Sequence, residues 1–397
     1  MTLRLRQWAC LFLFLTATTV NQETLAQTTV AVDSVVFVTA SILVVSPGKE
    51  AYSSVGHCAL RMECPSHNLD FCFTYETDIN EDLYLRFLTG KTQGGLFVVP
   101  TERYLSDHLN EGRGITSYSL NLSLEEKREL WRSLDEELPL GLHKPFDFFR
   151  RNCTSMIYEK VLSIMRDEQI IANDYQIGRA DNRRFYQKAE ADAPWTFFFG
   201  LLLANYVAPD IHIVNRLYPI SLPDWLQRAV IVSDKGETRK VLQEAPKVLF
   251  ASRLDMSPTQ ITPIVVFLLL LVWTVIMGLC EFRGIAGKIV HVTDVMIFTI
   301  YTLVALLLLY VMVIDLFGER WNWMLIPFNL LPPLLWLFAR NKPWHHYVWL
   351  FYMIVLAAFA VFYPLYTGFL HWPFLLIFIS LFIRCLCKYK IHHVQAR

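Results

Sequence analysis

The feature that most constrains this chain is the uneven placement of its apolar residues. Five apolar stretches, at about 261–280, 290–316, 323–339, 346–363 and 370–386, follow one another after residue 260, whereas residues 27–260 are mixed and carry most of the charge. A bilayer's hydrocarbon core takes about 20 apolar helical residues to cross. The pattern therefore predicts an all-α, five-helix transmembrane domain over 261–397 and a water-facing domain before it. The third stretch is short and holds Pro327, Pro332 and Pro333, which predicts a broken or re-entrant segment. The same excess raises the whole-chain average to 54% hydrophobic residues and lowers charged residues to 18%, against an ordinary ~45–50% and ~25%. A purely soluble protein is excluded.

Charge then sets orientation. If 27–260 is exported, the segments left inside hold Arg283, Lys288, Arg340, Lys342, Arg384, Lys388, Lys390 and Arg397, and the outer loops hold only Arg320. This bias is what the positive-inside rule demands, and it places the C-terminus in the cytoplasm. The N-terminus fits export: Arg4 and Arg6 precede a short apolar run, Trp8–Leu15, and a small-residue exit near Ala26. That is a signal peptide over 1–26, too short in its apolar part to span. Lys plus Arg and Asp plus Glu are each 36, and this balance supports no nucleic-acid partner.

Within 27–260, residues 33–45 are rich in β-branched side chains and read as a strand. Residues 56–63 and 69–76, joined by Pro65-Ser66-His67-Asn68, read as a hairpin. Helical signals dominate afterwards. A short helix is expected over Asp82–Gly90, and Ser123 with Glu126 forms a capping box for a second that runs to Leu138 and Pro139. A third helix is expected over 153–165. The domain reads as α+β.

Two residues can carry chemistry. Cys153 opens a helix, where unpaired amides and the positive dipole end favour a thiolate and can cradle an oxyanion. His57 lies on a strand of the sheet, from which an imidazole can take the thiol proton. Asn152 and Thr154 flank Cys153 and are candidates for oxyanion binding or positioning. Eight cysteines are too few for a disulfide scaffold. Cys64 and Cys72 flank the hairpin turn, and an oxidising compartment favours a disulfide between them; their spacing with Cys58 and His67 matches no common zinc pattern, so no metal is expected. Cys58 follows His57, so strand alternation points it to the opposite face and into the core. Asp294 and Asp315 lie in or at the ends of the second apolar stretch, where charge is costly. The outer loop that follows can hold a lipid headgroup through Arg320 and Asn322, with Trp321 and Trp323 at the interface.

Gly56-His57-Cys58-Ala59-Leu60-Arg61, followed about a hundred residues later by Asp147-Phe148-Phe149-Arg150-Arg151-Asn152-Cys153-Thr154, resembles circularly permuted papain-like proteins, in which the His strand precedes the Cys helix. The whole chain more closely resembles the Lnb-like family of Bacteroidetes lipoprotein N-acyltransferases, which place such an exported domain before a polytopic membrane domain. Further stretches that carry the likeness are Phe87-Leu88-Thr89-Gly90-Lys91, Ser117 to Ser123, Tyr218 to Pro223 and Trp321 to Leu325.

The resemblance implies a circularly permuted papain-like fold. It also implies transfer of a fatty acyl chain from a phospholipid, through a thioester on Cys153, to the α-amino group of a diacylated lipoprotein's N-terminal cysteine, with no cofactor. The site would face the periplasm from the inner membrane of a Gram-negative cell. Papain-like sites orient the histidine with a side-chain acceptor on a neighbouring strand. Glu76, at the end of the second hairpin strand, is the first candidate, ahead of Asp70 and Asn80. Two other readings stay open: a cysteine hydrolase of peptidoglycan peptides or phospholipid esters, and a membrane assembly or sensor protein without catalysis.

Overall fold

The structure is a computed structural model. It describes residues 38–49, 53, 55–77, 85–86, 89–146, 151–165, 168–172, 197–202, 218–254, 261–314, 322–339, 342, 344–363 and 372–395. The signal-peptide segment, Asp315, Arg320, Trp321 and Asn80 lie outside these residues.

The N-terminal domain is built on a seven-stranded antiparallel sheet. Its strands are β1 (Thr39–Val45), β2 (His57–Cys64), β3 (Leu69–Thr77), β4 (Gln93–Pro100), β5 (Ile115–Ser119), β6 (Leu142–Pro145) and, from the end of the domain, β10 (Lys247–Phe250), in the spatial order β10-β5-β1-β2-β3-β4-β6. The expected hairpin is β2–β3. Its turn is the 3₁₀ segment Pro65–His67, closed by Asn68 at φ 53°, a left-handed position that asparagine tolerates. The expected dominance of helix after this hairpin is corrected, because β4, β5, β6 and β10 all join the sheet. The short lengths of β5, β6 and β10, and the Gly94-Gly95 pair at the start of β4, hide the two-residue period that marks a strand.

Helix α1 (Thr101–Asn110) packs on β3 and β4. Helix α2 (Leu124–Glu137) starts at the expected capping box: the Glu126 amide donates to Ser123 Oγ at 3.2 Å and the Ser123 amide to Glu126 Oε2 at 2.5 Å. Helix α3 (Cys153–Ser163) packs on β2 and β3. Between α3 and the sheet lies the main core, with Ile42, Leu60, Met62, Phe73, Leu130, Ile157 and Trp225 all buried. Buried Glu137, at the end of α2, accepts from Tyr75 Oη at 2.9 Å and pairs with Lys144 at 2.6 Å and Lys160 at 2.5 Å. One buried carboxylate thereby ties β3, β6, α2 and α3, and its partners offset the penalty of burial. A three-stranded sheet of β7 (Glu168–Ile171), β8 (Val230–Ser233) and β9 (Thr238–Lys240) flanks this body, with the short helices α4 (Phe197–Leu202) and α5 (Leu222–Arg228).

After residue 260 come α6 (Pro263–Phe282), α7 (Gly287–Val313), α8 (Leu331–Ala339), α9 (His346–Phe362) and α10 (Phe374–Gln395). Helices α6 and α7 are long and apolar enough to cross a membrane; α9 is apolar but has 17 residues. The expected third span is broken, as its prolines foretold: a 3₁₀ turn at Trp323–Leu325 precedes α8, which has Pro332 and Pro333 in its first turn. Tyr301 Oη on α7 donates to the carbonyl of Asn329 at 2.7 Å, and Tyr352 Oη on α9 donates to that of Pro327. Irregular backbone is tolerated at membrane depth only when its polar groups find partners within the protein, and these hydroxyls are those partners. Gly278 on α6 lets α10 come close: a Cβ there would sit 3.1 Å from Cys387 Sγ. The outer faces expose Leu269, Val272, Leu279, Val292, Met296, Ile300 and Leu303, an apolar surface suited to lipid.

Candidate active site

His57 is the first residue of β2. The chain enters through Gly56 at φ 88°, and a Cβ there would lie 2.7 Å from the Val45 carbonyl oxygen, so the turn into His57 requires glycine on both counts. The β2–β3 ladder runs from Cys64↔Leu69 only to Leu60↔Phe73, although both strands continue. On the same register Cys58 would face Tyr75 and His57 would face Glu76. The ladder opens there, and the backbone groups of Cys58 turn to other partners. Thr74 Oγ1 donates to the Cys58 carbonyl at 3.4 Å, and the Cys58 amide bonds the sulfur of Cys153.

Cys153 is the first residue of α3 and is buried. Asn152 is the N-cap: its Oδ1 accepts from the amides of Thr154 at 3.0 Å and Ser155 at 2.9 Å, and Ser155 Oγ accepts from the Asn152 amide at 3.0 Å. Asn152 and Thr154 therefore position the helix start. Asn152 Oδ1 and the Thr154 amide are thus engaged with each other at the helix start. Cys153's own amide is the helix-end donor left for an oxyanion among the described residues.

The two candidate groups are brought together. His57 and Cys153 share a hydrogen bond and an electrostatic interaction. His57 Nε2 lies 2.7 Å from Thr74 Oγ1 and 3.4 Å from Glu76 Oε1, which leaves Nδ1 for the sulfur. The Cys58 thiol bonds the Cys153 sulfur and is the largest influence holding Cys153 well below the ordinary thiol range; burial opposes this, and the His57 charge adds to it. Burial also opposes charge on His57, yet Cys153 and Glu76 together lift it to about 10. Both shifts favour a thiolate–imidazolium pair. Burial works against the Glu76 carboxylate too, but His57 draws it below its usual range. Beside them, Tyr104 and His108 stack edge to face, with ring centroids 4.6 Å apart and 6.4 and 6.1 Å from His57. Burial, then the charge of His57, lowers His108 to about 4, so it stays neutral next to the imidazolium.

The expectation of Glu76 as the third polar group agrees with this geometry. Asp70 is engaged elsewhere, by Arg61 at 2.8 and 2.7 Å and by Thr101 at 2.6 Å. Thr74, closer to His57 than Glu76 is, was not singled out; its place on the strand face shared with Glu76 was the available signal. Cys58 is fully buried in the core, as strand alternation predicts, but its sulfur also faces Cys153, a contact that alternation does not reveal.

The Cys64–Cys72 disulfide is corrected: both cysteines are free. Register pairs Cys72 with Arg61 and Cys64 with Leu69, so the two side chains leave opposite faces of the sheet, and no disulfide geometry bridges that. Cys64 instead lies 3.3 Å from His67 Nδ1, and Cys72 lies 3.4 Å from Thr101 Oγ1. No group of three or more metal-ligating side chains forms among the described residues. A groove of about 530 Å³ lined by Cys64, His67, Leu69 and Trp131 sits at the turn end of the hairpin, about 20 Å along β2 from His57 at strand rise.

The lipid-headgroup role of Asn322 is also corrected. It is buried, its Nδ2 donates to the carbonyls of Leu201 and Leu202 at 3.0 Å each, and its Oδ1 accepts from the Met324 amide at 2.8 Å. It clamps α4 to the membrane helices and has no proton to offer a headgroup. Trp323 is half-buried in the 3₁₀ turn.

Residues 21–184 match the family model of the Lnb N-terminal periplasmic domain, and residues 255–395 match that of the Lnb transmembrane domain. No curated protein and no solved structure matches the chain. The first match contains both His57 and Cys153, and the second contains all the helices from α6 to α10. Two matches in this order cover most of the chain, and the protein belongs to the Lnb family, as a membrane protein with an exported N-terminal domain.

Proposed function

We propose that the protein is a lipoprotein N-acyltransferase of the inner membrane, with its Cys-His site in the periplasm in a permuted papain-like arrangement and its C-terminus in the cytoplasm. The observation that carries this reading is the contact of His57 with buried Cys153 at a helix start, on a chain that also provides membrane helices. The Cys153 thiolate attacks the ester carbonyl of a phospholipid. The oxyanion forms near the Cys153 amide, the His57 proton passes to the leaving alkoxide, and a lysophospholipid departs.

Acylation removes the charge on Cys153 that held His57 protonated. Burial then favours neutral imidazole. His57 can accept a proton from the lipoprotein's α-amine as its nitrogen attacks the thioester, and return it to the departing Cys153 sulfur. Amide forms from thioester downhill, so the step needs a free amine and exclusion of water. One site serving two substrates in turn predicts ping-pong kinetics.

The full chain in detergent, mixed with phospholipid, is expected to carry one acyl group in place of the Cys153 thiol hydrogen, read by mass spectrometry of the Cys153 peptide. Adding a diacylated lipopeptide should clear the adduct and yield the triacylated product. Release of free fatty acid with no N-acyl product would replace this reading with hydrolysis, and absence of any adduct or product would end both.

Glu76→Gln tests the third group. Without the carboxylate, His57 loses a proton more readily, so the alkaline limb of the pH–rate profile should move to lower pH, and kcat/KM should fall about tenfold. An unmoved limb would show that Glu76 does not act on His57.

A further inference from the structure

Cys58 has features that its place in the core does not explain. It is fully buried, and its sulfur lies 3.4 Å from Thr154 Oγ1, which is itself 3.9 Å from the Cys153 sulfur. Its backbone lies where the β2–β3 ladder has opened, past Leu60↔Phe73. Helix α3 packs against β2, and the thiol and the amide of Cys58 both bond the Cys153 sulfur.

We propose that Cys58 is a positioning residue of the thiol site, whose S–H and backbone N–H together hold the Cys153 sulfur as a thiolate opposite His57. The inference rests on the reading of Cys153 as the nucleophile. Two requirements of the role are met. A donor must keep its proton while its partner loses one, and burial, followed by the hydrogen bond to Cys153 and then its charge, raises the Cys58 thiol well above its ordinary range. A donor must also be fixed, and packing does this: Cys58 lies in the core with Leu60, Met62 and Ile157. A hydrogen bond to a charged acceptor is worth more than one to a neutral one, so a weakly polar S–H becomes significant beside a buried thiolate. A core alanine would fill the same position with no donor.

The test is the pH dependence of Cys153 alkylation by iodoacetamide in the full-length protein, with the modified residue located by mass spectrometry. Cys58→Ala should slow alkylation at mildly acidic pH about tenfold and move its acid limb to higher pH. Cys58→Ser keeps an O–H donor and should return the rate to within about threefold of wild type. In acyl transfer, Cys58→Ala should lower kcat with KM little changed.

A filling role alone would lower the unfolding temperature of both variants and leave the acid limb in place, which overturns the proposal. An ordinary thiol profile for wild-type Cys153 would instead overturn the ion-pair reading beneath it. The alkylation assay needs no acyl donor, so failure of the transferase reading and failure of the Cys58 role are separately visible.

Discussion

Cys153→Ala is expected to reduce N-acyl transfer by at least about 10³-fold, and His57→Ala by a similar factor, without loss of the folded protein. The two losses should not multiply. Nucleophile and base act in one event, so the double variant should be no worse than the poorer single one within error.

The pH profile expected of the wild-type protein follows from the same pair. The active resting form needs Cys153 ionised and His57 protonated. Activity should therefore already be present in mildly acidic solution, because Cys58 and His57 hold the thiol low, and should fall as pH rises through about 10, where His57 loses its proton. Steady-state acylation of a diacyl lipopeptide, measured across that range, reads both limbs. Activity of Cys153→Ala within about tenfold of wild type would remove the thioester mechanism. It would also direct attention to Cys58, whose thiol is hydrogen-bonded to the Cys153 sulfur.

The second large effect lies in the membrane domain. Arg384 is fully buried on α10 and pairs with Asp294 on α7 and Glu281 on α6, each at 2.7 Å. Lys388 joins the same two carboxylates at 2.9 and 2.5 Å. Two cations and two anions form a neutral knot that ties three helices. In the sequence Asp294 is a costly charge and Arg384 and Lys388 are orientation signals, and the structure joins them.

Arg384→Met leaves two carboxylates facing one ammonium. Breaking a buried pair from one side costs about 3–5 kcal/mol, so the unfolding midpoint in detergent should fall by about 10 °C. Adding Asp294→Asn to Arg384→Met restores neutrality, and the double variant should regain more than half of the loss. A fall under about 2 °C for Arg384→Met would mean that the charges are solvated and the knot is not structural.

Several parts of this protein can be read from local pattern alone. The β2–β3 hairpin, the Ser123 capping box, the helix that begins at Cys153 and the broken third apolar segment depend on neighbours within about one or two turns of chain, so spacing and residue type suffice. The edge strands β6 and β10 were missed because four residues are too few to show a period. Asn322 was misassigned because a polar residue beside tryptophans looks the same from sequence whether it meets a headgroup or two carbonyls more than a hundred residues away.

The amino-acid sequence by itself determined the division into an exported domain and a membrane domain, because the hydrophobic effect and the cost of burying charge act on each segment wherever it packs. It also placed a cysteine at a helix start and a histidine on a strand. Tertiary structure alone decided which groups surround that sulfur: where the β2–β3 ladder stops, that Cys58 bonds Cys153, that Thr74 and Glu76 share Nε2, and that Cys64 and Cys72 face apart. Each of these depends on strand register and on the angle at which α3 meets the sheet. A displacement of one residue reverses every side chain, and residue spacing along the chain carries no record of that choice.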